Sequence, residues 1–565
     1  MKYEVTVQRD LAVPMRDGVS LRADLYRPEA EGPFPVLVQR TPYDKRRQDL
    51  RRYAEAGYLA VCVDLRGRHA SDGQWRSFLR HETGEGEDGY DTIEWAAQLP
   101  GSNGKVGTFG GSYDAWVQWK AAATRPPSLV AMSAQTIPAH MTDLEGPGTI
   151  RPGKRLHWWV TKMSAELRRR ANRPGFQHRE EGERRWLYGG EAGKWLYFLP
   201  WSELPQNVFE DETDAMQAWL KAPHVDPWKL DEDCREVTVP NLDIVGWYDH
   251  ANGDLGMFRA LMREGWGPAR EGSRLIVGPW AHGRWDGRVF GEIDFGPEAP
   301  IDAVATELSW FDYHLKGIDA GESERARVRL FVMGDNRWRD ESQWPLERAQ
   351  ERLLYLSANG PANTPAGGGT LAGEPPDDQG SDHYRFDPRD PVLALFGPDL
   401  ISIATDQRPH AHRADILVYQ SEPLKGRVEV TGNPVVTLFA SSSAPDTDFF
   451  ARLIDVAPDG LARDVATGMV RARYRHGLDR PELITPGEVV EYTIRLGATS
   501  NAFLPGHRIR LDITSSHFPA YDRNHNTAAD QNTDATLVTA DQVIYHGGGY
   551  LSRVSLPWIP TEGDG

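Results

Sequence analysis

Three residues whose types together perform nucleophilic catalysis follow one another along the chain, each just after a predicted strand. Ser112 stands in residues 110–114 (Gly-Gly-Ser-Tyr-Asp), between a strand-like run and a helix-like stretch. Asp249 and His282 each follow a later apolar run. A serine nucleophile needs a base, and the base needs a carboxylate to orient it. The residue types, their order and their places at strand ends predict a catalytic triad of Ser112, Asp249 and His282.

Each member of this triad also has a structural interpretation when it is taken alone. A Gly-Gly-Ser turn is often only a loop, and the usual Gly-x-Ser-x-Gly pattern is incomplete because Asp114 takes its last position. Asp249 could cap a helix, and His282 could be one more loop histidine among 17. The agreement of all three in type, order and position favours the catalytic interpretation.

The elements that would position these residues belong to a mixed α/β pattern. Apolar runs of strand length alternate with helix-like segments up to about residue 140, and the pattern returns after about residue 236. The strand-like runs are residues 36–38, 59–64, 106–109, 241–245 and 274–277, and the helix-like segments are 88–99 and 253–263. This alternation is typical of a largely parallel sheet in an α/β domain, whose sites lie beyond the carboxyl ends of the strands.

Two other regions depart from the α/β pattern. Residues 141–235 carry charged, helix-forming stretches and many tryptophans. This insert could be a lid over a site. Most of its aromatic side chains are expected to form a small core within the insert itself. Beyond about residue 350, short strands between Gly, Pro and Asp turns predict an all-β sandwich or jelly roll, with residues 359–380 as an exposed loop. We therefore expect divisions at 1–140, 141–235, 236–347 and 348–565.

Length, charge and cysteine content exclude several functional classes. The 565 residues exceed the roughly 250–300 at which one core stops growing, so two or three domains are expected. A formal charge of −18 opposes nucleic-acid binding, and no apolar run approaches the ~20 residues of a membrane helix. Cys62 and Cys234 are too few for a disulfide framework, and Cys62 is expected to be a buried strand residue. Residues 1–7 alternate like a strand, not like a secretory signal, which predicts a cytoplasmic protein.

Short motifs distributed over essentially the whole chain carry a resemblance to a known family. These motifs are residues 15–19 (MRDGV), 23–28 (ADLYRP), 40–43 (RTPY), 64–68 (DLRGR), 310–312 (WFD), 332–334 (VMG), 336–338 (NRW), 432–434 (GNP) and 504–508 (LPGHR). In them the chain resembles the cocaine esterase-like (CocE/NonD) hydrolases, which are related to X-prolyl dipeptidyl aminopeptidases and α-amino acid ester hydrolases. The resemblance implies an α/β-hydrolase domain with an inserted helical lid and a C-terminal jelly-roll domain, in agreement with the segmentation above.

The resemblance also implies roles for individual residues. It places the nucleophile on Ser112, the carboxylate on Asp249 and the base on His282. It implies an oxyanion hole made by the backbone N–H of Tyr113 and the phenol of Tyr43, two donors that would stabilise a tetrahedral intermediate. Read from the sequence alone, Tyr43 would be a turn aromatic after a proline. The family usually has glycine where this chain has alanine, three residues after the serine.

The favoured function is hydrolysis of a carboxylic ester through an acyl-enzyme intermediate, by a serine hydrolase that needs no cofactor and no metal. One alternative keeps the chemistry but acts on peptides or other amides, as an X-prolyl dipeptidyl aminopeptidase does. A second is a sugar-binding protein that uses the jelly roll and has an inactive hydrolase domain. The expected partner is a small ester or amide, without nucleic acid or membrane, and a homo-oligomer is left open.

The residues after Asp249 bear on the charge of the substrate. They are His250, Ala251 and Asn252, with no carboxylate before Asp254. The α-amino acid ester hydrolases place acidic residues just after this aspartate to hold an ammonium group. An ammonium ion in a partly desolvated pocket without a countercharge would be penalised, so neutral acyl groups are expected to be preferred. The alternative source of a carboxylate is the insert, with glutamates at positions 180, 181 and 183.

Overall fold

The N-terminal region is built around a six-stranded sheet with helices packed on it. The computed structural model describes residues 2–76, 84–250, 253–363, 367–377, 379–395 and 402–560. The first elements are β1 (Val5–Pro14), β2 (Ser20–Pro28), β3 (Phe34–Thr41), α1 (Arg51–Glu55), β4 (Leu59–Asp64), α2 (Glu85–Ala97), β5 (Ser102–Gly111), α3 (Tyr113–Ala123) and β6 (Leu129–Gln135). The strand order is β1-β2-β4-β3-β5-β6.

The inner strands of this sheet are parallel and buried. β3 pairs in parallel with β4 and with β5, and β5 pairs in parallel with β6, whereas β1 and β2 form an antiparallel edge. Every residue of β4 is buried, including Cys62, as the uninterrupted apolar run predicts. The parallel arrangement brings the carboxyl ends of β3, β5 and β6 to the same edge.

A second group of strands continues the sheet after a helical insert. The insert contains α4 (Met141–Glu145), α5 (Pro152–Trp158), α6 (Ser164–Arg170), α7 (Arg179–Tyr188), α8 (Glu191–Leu196), α9 (Gln206–Lys221) and α10 (Leu230–Asp233). It is followed by β7 (Leu242–Gly246), α11 (Asp254–Glu264), α12 (Gly267–Gly272), β8 (Arg274–Gly278), β9 (Val289–Phe290), β10 (Ile293–Asp294), α13 (Ala303–Phe311), β11 (Val328–Val332) and β12 (Arg337–Glu341). β7, β8 and β11 are parallel neighbours, and β12 closes this group as an antiparallel edge.

The two groups of strands are joined by backbone contacts between β6 and the segment before β7. The Met132 N–H donates to the carbonyl oxygen of Pro240 at 2.9 Å, and Met132 forms a parallel bridge with Asn241. The Asn241 side chain adds a bond to the backbone N–H of Ala134 at 2.8 Å. The chain therefore leaves the sheet after β6, forms the insert and returns beside the strand that it left.

The C-terminal region is an all-β domain. Its strands are β13 (Gln350–Ala358), β14 (Gly369–Ala372), β15 (Gly380–Phe386), β16 (Leu417–Gln420), β17 (Val428–Gly432), β18 (Val435–Ser442), β19 (Asp448–Val456), β20 (Ala462–Arg471), β21 (Val490–Arg495), β22 (Thr499–Phe503), β23 (Arg508–Thr514), β24 (Ala540–His546) and β25 (Arg553–Ile559). The pairing is antiparallel except between β14 and β16. An α/β domain followed by a β-rich domain confirms the predicted fold class. The predicted loop at 359–380 is wrong in part, because β14 lies within it and pairs with β13.

The core of the insert differs from the expectation. The insert's tryptophans belong to one apolar cluster with strand residues of the sheet such as Val36 and Val61, so the insert and the α/β domain share a core. A second cluster fills the β domain, and a third joins β7, β8 and β11 to residues of the β domain such as Ala498 and Ile559. In the part of the chain that the structure describes, no helix combines the length and apolar character needed to cross a membrane.

Candidate active site

Ser112 occupies a sharp turn between β5 and α3. Its φ of 62° is unusual for a residue with a side chain, and its N–H is fixed by the Gln135 carbonyl oxygen at 2.9 Å and by Thr136 Oγ1 at 3.1 Å. Gly110 makes the turn sterically feasible, because a Cβ there would lie 2.8 Å from Cβ of Asp114. This geometry points the serine out of the sheet, at the N-terminus of α3 where negative charge is stabilised.

Asp249 and His282 meet at the ends of β7 and β8. His282 Nδ1 lies 2.9 Å and 3.0 Å from the two carboxylate oxygens of Asp249. The aspartate side chain is fully buried, whereas that of His282 is 15% exposed. An imidazole held in this way by a buried carboxylate has one tautomer fixed and keeps Nε2 for proton transfer.

The loops that carry these two residues are joined by backbone contacts. Trp280 accepts a hydrogen bond from the Tyr248 N–H at 3.1 Å through its carbonyl oxygen. The same oxygen lies so close to Gly246 that a Cβ there would be only 2.0 Å from it. Only glycine allows the two loops to approach in this way, and the approach sets the contact between Asp249 and His282.

Ser112 and His282 line one cavity at this edge of the sheet. Tyr43 and Tyr113 line it too, so four of the five residues predicted from the sequence meet at one place. The fifth, Asp249, lies behind His282 through the hydrogen bond described above. The remaining lining residues are Trp116, Thr136, Ile137, Leu144, Glu145, Lys154, Arg155, Trp158, Trp228 and His250.

Tyr43 follows β3 and presents its hydroxyl to the same cavity. The hydroxyl oxygen accepts a hydrogen bond from Trp158 Nε1 at 3.0 Å, and Ser112 lines the same cavity. Burial raises the pKa of the Tyr43 phenol, with a further contribution from the charge of Asp114, so the phenol keeps its proton and stays a donor. Arg68 holds the loop by donating from Nε to the Pro42 carbonyl oxygen at 3.1 Å.

Tyr113 is the first residue of α3, and its side chain is buried against Trp116, with ring centroids 5.4 Å apart. The N–H groups of the first helical turn are not used by i→i−4 bonds within the helix. The Tyr113 N–H therefore lies where an anion beside Ser112 would be stabilised by the helix N-terminus. Ala115, which replaces the usual glycine, is fully buried in the first turn of this helix.

His250 is a site residue that the sequence reasoning missed. Its buried ring lies 4.3 Å from that of His282 between centroids, and its Nδ1 lies 3.4 Å from Asp249 Oδ1. Burial, followed by the charge of Lys154, lowers the pKa of His250 far below its usual range, so the ring is neutral. Its place directly after Asp249 was the available signal.

The same three residues, Asp249, His250 and His282, have ligand atoms within 4.8 Å of one another and so could in principle contact one metal ion. Their closeness is explained by the carboxylate–imidazole hydrogen bond between Asp249 and His282, which is the pattern of a triad. Among the described residues that line this cavity there is no cysteine, a common ligand of structural zinc sites. The absence of a metal requirement stays a prediction.

The insert contributes a charged wall that the sequence did not reveal. Glu145 of α4 forms an ion pair with Arg155 of α5, and Arg155 also lies 3.3 Å from Glu212. Arg151, just before α5, donates to the His250 carbonyl oxygen at 2.6 Å and to the Tyr521 hydroxyl of the β domain at 2.8 Å. All three regions of the chain therefore meet beside the cavity.

The positions considered for binding an ammonium group lie away from the cavity or outside the described residues. Ala251 and Asn252 are among the residues that the structure does not describe. Glu180 pairs with Arg47, Glu181 with Arg185, and Glu183 with Lys162 and Arg179, in ion pairs that are not part of the cavity. Glu145 is a carboxylate of the cavity wall, and it is already paired with an arginine.

Comparisons with known proteins agree with this architecture. Residues 17–284 match the X-Pro dipeptidyl-peptidase (S15) family, and residues 322–555 match the X-Pro dipeptidyl-peptidase C-terminal non-catalytic domain. A cocaine esterase of Rhodococcus sp. (strain MB1 Bresler) is 37% identical, covering 98% of this chain and 99% of the relative. An aminopeptidase structure from a marine-sediment Thaumarchaeota archaeon has a TM-score of 0.78 at 26% identity, covering 99% of this chain and 97% of the other.

An α-amino acid ester hydrolase structure also has a TM-score of 0.78, at 24% identity, covering 98% of this chain and 97% of the other. This likeness concerns the fold alone. The similarity to the Rhodococcus enzyme extends over both chains almost end to end, so it includes the α/β domain, the insert and the β domain together. The chain belongs to the cocaine esterase-like hydrolases of the X-Pro dipeptidyl-peptidase (S15) family.

Proposed function

We propose that the protein is a serine esterase that cleaves carboxylic esters through an acyl-enzyme intermediate, with Ser112 as nucleophile, His282 as base and Asp249 as the orienting carboxylate. The observation that carries this proposal is that His282, bound to buried Asp249, lines the same cavity as Ser112 on its positive-φ turn. The 37% identity to an esterase over 98% of the chain supports the choice of ester as substrate.

In the proposed reaction, Ser112 Oγ attacks the ester carbonyl carbon while its proton passes to His282 Nε2. The tetrahedral intermediate collapses, the alcohol leaves with that proton, and the acyl group stays on Ser112. Water then gives a proton to His282 and attacks the acyl carbon; release of the acid returns the proton to Ser112. Asp249 holds the imidazole in the required tautomer and stabilises the imidazolium that forms in each half-reaction.

The oxyanion formed in each half-reaction would be stabilised by the Tyr113 N–H and the Tyr43 hydroxyl. The raised pKa of Tyr43 supports this role, because a phenol that stays protonated can donate to an anion. Its hydrogen bond from Trp158 fixes the hydroxyl in place before substrate arrives. A donor that needs no reorientation stabilises the transition state more than the ground state.

Amide hydrolysis is the second candidate, favoured by the likeness to the archaeal aminopeptidase structure. The electrostatics of the cavity oppose a substrate with a free amino group, because Lys154 lines the cavity as a cation and the carboxylate of Glu145 there is already paired with Arg155. We propose that neutral acyl groups are preferred over acyl groups with an α-ammonium group. We also propose a cytoplasmic protein, since both cysteines are buried and free.

Fluorophosphonate labelling tests the chemistry and separates an active hydrolase from a sugar-binding protein that uses only the β domain. The wild-type protein should be labelled, Ser112→Ala should fold yet lose labelling and nearly all turnover, and Ser555→Ala in β25 should behave as wild type. Labelling that persists in Ser112→Ala would show that Ser112 is not the nucleophile. A panel of p-nitrophenyl esters against Xaa-Pro-p-nitroanilides then decides between ester and peptide.

A further inference from the structure

Lys154 is a cation of the cavity wall that has no carboxylate partner among the residues the structure describes. It lies in α5 and lines the cavity together with Ser112, His282 and Tyr43. Its half-buried side chain makes no ion pair within 4.0 Å and no hydrogen bond to any residue of the described ranges. The neighbouring Arg155, by contrast, is held by Glu145 and Glu212.

The surroundings of Lys154 include charges of both signs. Burial lowers the pKa of the Lys154 ammonium to about 8; the charges of Asp249 and Glu145 act in the raising direction, and those of Arg155 and Arg151 in the lowering direction. The side chain is therefore mostly charged at neutral pH. Part of the desolvation cost of this half-buried ammonium is not compensated by a protein carboxylate. An anionic ligand bound to the ammonium would offset that cost.

We propose that Lys154 binds a carboxylate carried by the substrate, so that the preferred substrates of the esterase are monoanionic esters. Two kinds of ester present this chemistry: half-esters of dicarboxylic acids, with the anion on the acyl part, and esters of carboxylated alcohols or phenols, with the anion on the leaving group. Lys154 thus determines specificity, and this inference rests on the proposed esterase function. This preference for an anionic substrate is the opposite of recognition of an ammonium group.

The overall charge of the protein cannot produce such a preference. A formal charge of −18 repels anions at long range, so a preference for anionic esters must come from a local cation. Lys154 could instead serve only to balance the charge of Asp249. In that case its removal would change kcat for every ester through His282, whereas removal of a substrate contact raises KM for anionic esters alone.

The test uses matched pairs of esters that differ by one carboxylate. Mono-4-nitrophenyl adipate against 4-nitrophenyl hexanoate places the anion on the acyl part, and 3-acetoxybenzoate against phenyl acetate places it on the leaving group. The variants are Lys154→Met, which removes the charge, and Lys154→Arg, which keeps it. Lys162→Met is the matched control, because Lys162 belongs to the same insert, pairs with Glu183 at 3.3 Å and does not line the cavity.

Lys154→Met should lower kcat/KM for the anionic member of at least one pair by about 10- to 100-fold, mainly through KM, as expected for the loss of one charge-assisted hydrogen bond. The neutral members should change by less than about threefold, Lys154→Arg should restore much of the loss, and Lys162→Met should leave both unchanged. The pair that responds identifies the part of the substrate that carries the anion. An equal loss for neutral and anionic esters, or no loss, overturns the proposal.

The wild-type enzyme supplies an independent measurement if Lys154→Met does not fold. The titration of the Ser112–His282 machinery affects kcat/KM for the anionic and neutral members equally. It therefore cancels in the ratio of the two kcat/KM values. Because the pKa of Lys154 is about 8, this ratio should fall as pH rises from 7 to 9, while the substrate carboxylate stays ionised. A ratio that is flat over this range contradicts the proposal. If the wild type hydrolyses no ester and is not labelled by fluorophosphonate, the esterase function itself fails.

Discussion

Two aspartate–histidine pairs of this protein have nearly the same contact but very different surroundings. In the α/β domain, His282 Nδ1 lies 2.9 Å from Asp249; in the β domain, His546 Nε2 lies 3.1 Å from Asp382. Both carboxylates are buried. The histidine side chains differ in exposure, at 15% for His282 and 5% for His546.

The β-domain pair is enclosed by its own sheet. Asp382 lies on β15 and His546 on β24, and the Tyr419 hydroxyl donates to the same carboxylate at 3.0 Å. The imidazole is packed so closely that a Cβ on Gly380 would lie 2.3 Å from its Cε1. The α/β pair instead ends at a cavity that also contains Ser112. A carboxylate–imidazole pair therefore indicates a catalytic site only where a nucleophile and space for substrate adjoin it.

The largest effect should come from the same substitution made in both pairs. Asp249→Asn should lower kcat/KM by about 10⁴-fold with the fold retained, because the amide no longer holds His282 in the tautomer that accepts the serine proton. Asp382→Asn should leave kcat/KM within about twofold of wild type. Steady-state kinetics on a p-nitrophenyl ester measures both, and comparable losses in the two variants would show that exposure and cavity do not distinguish the pairs.

An intermediate effect is expected in the cavity beside Asp249 and His282, the proposed catalytic pair. Tyr43→Phe removes the proposed phenol donor and should lower kcat by about 10²–10³-fold, with little change in KM. Tyr58→Phe is the matched control, because the Tyr58 hydroxyl donates to Asp312 at 2.6 Å and does not line the cavity. An unchanged kcat in Tyr43→Phe would return this residue to a structural role in the turn after Pro42.

The smallest effect is on the stability of the β domain. Asp382→Asn keeps the shape of the side chain but weakens two buried hydrogen bonds, from Tyr419 and with His546. We expect a loss of about 1–2 kcal/mol in the free energy of unfolding, measured by chemical denaturation, at nearly unchanged activity. Stability equal to that of wild type would mean that the Asp382–His546 pair does not stabilise the β domain. The interpretation of this pair as structural would then be wrong.

The sequence was sufficient to predict that the three proposed triad residues lie at one edge of the sheet, because their positions follow local rules. Ser112 follows a buried strand and precedes a helix, and Asp249 and His282 end two parallel neighbours, so the sheet itself brings them to one edge. Tyr43 needed the family resemblance, because nothing in residues 40–43 alone indicates that its hydroxyl faces the serine. We propose the divisions at residues 140, 235 and 347 because the element order changes near each of them.

The insert could not be predicted in the same way, since its residues are placed by packing between regions far apart in the sequence. Lys154 and Arg155 are adjacent, yet only the arginine has carboxylate partners, and one of these comes from α9. A run of arginines such as residues 168–170 is typical of a solvated helix face, but Arg168 is buried and pairs with Glu210 at 2.7 Å. Partners of this kind cannot be identified from spacing along the chain.

The apolar cluster that the insert shares with the α/β domain has a consequence for how such proteins can diversify. Trp159, Trp186 and Trp195 are buried together with strand residues such as Val36. The insert and the α/β domain would therefore each expose apolar side chains if they were separated. In a chimeric protein that carries the insert of a relative, the side-chain volumes of the insert would not match those of the α/β domain, and close packing of the shared core would be lost. New substrate preferences in this lineage are therefore expected to arise by single replacements on the cavity wall, and exchange of the whole insert as a module is disfavoured.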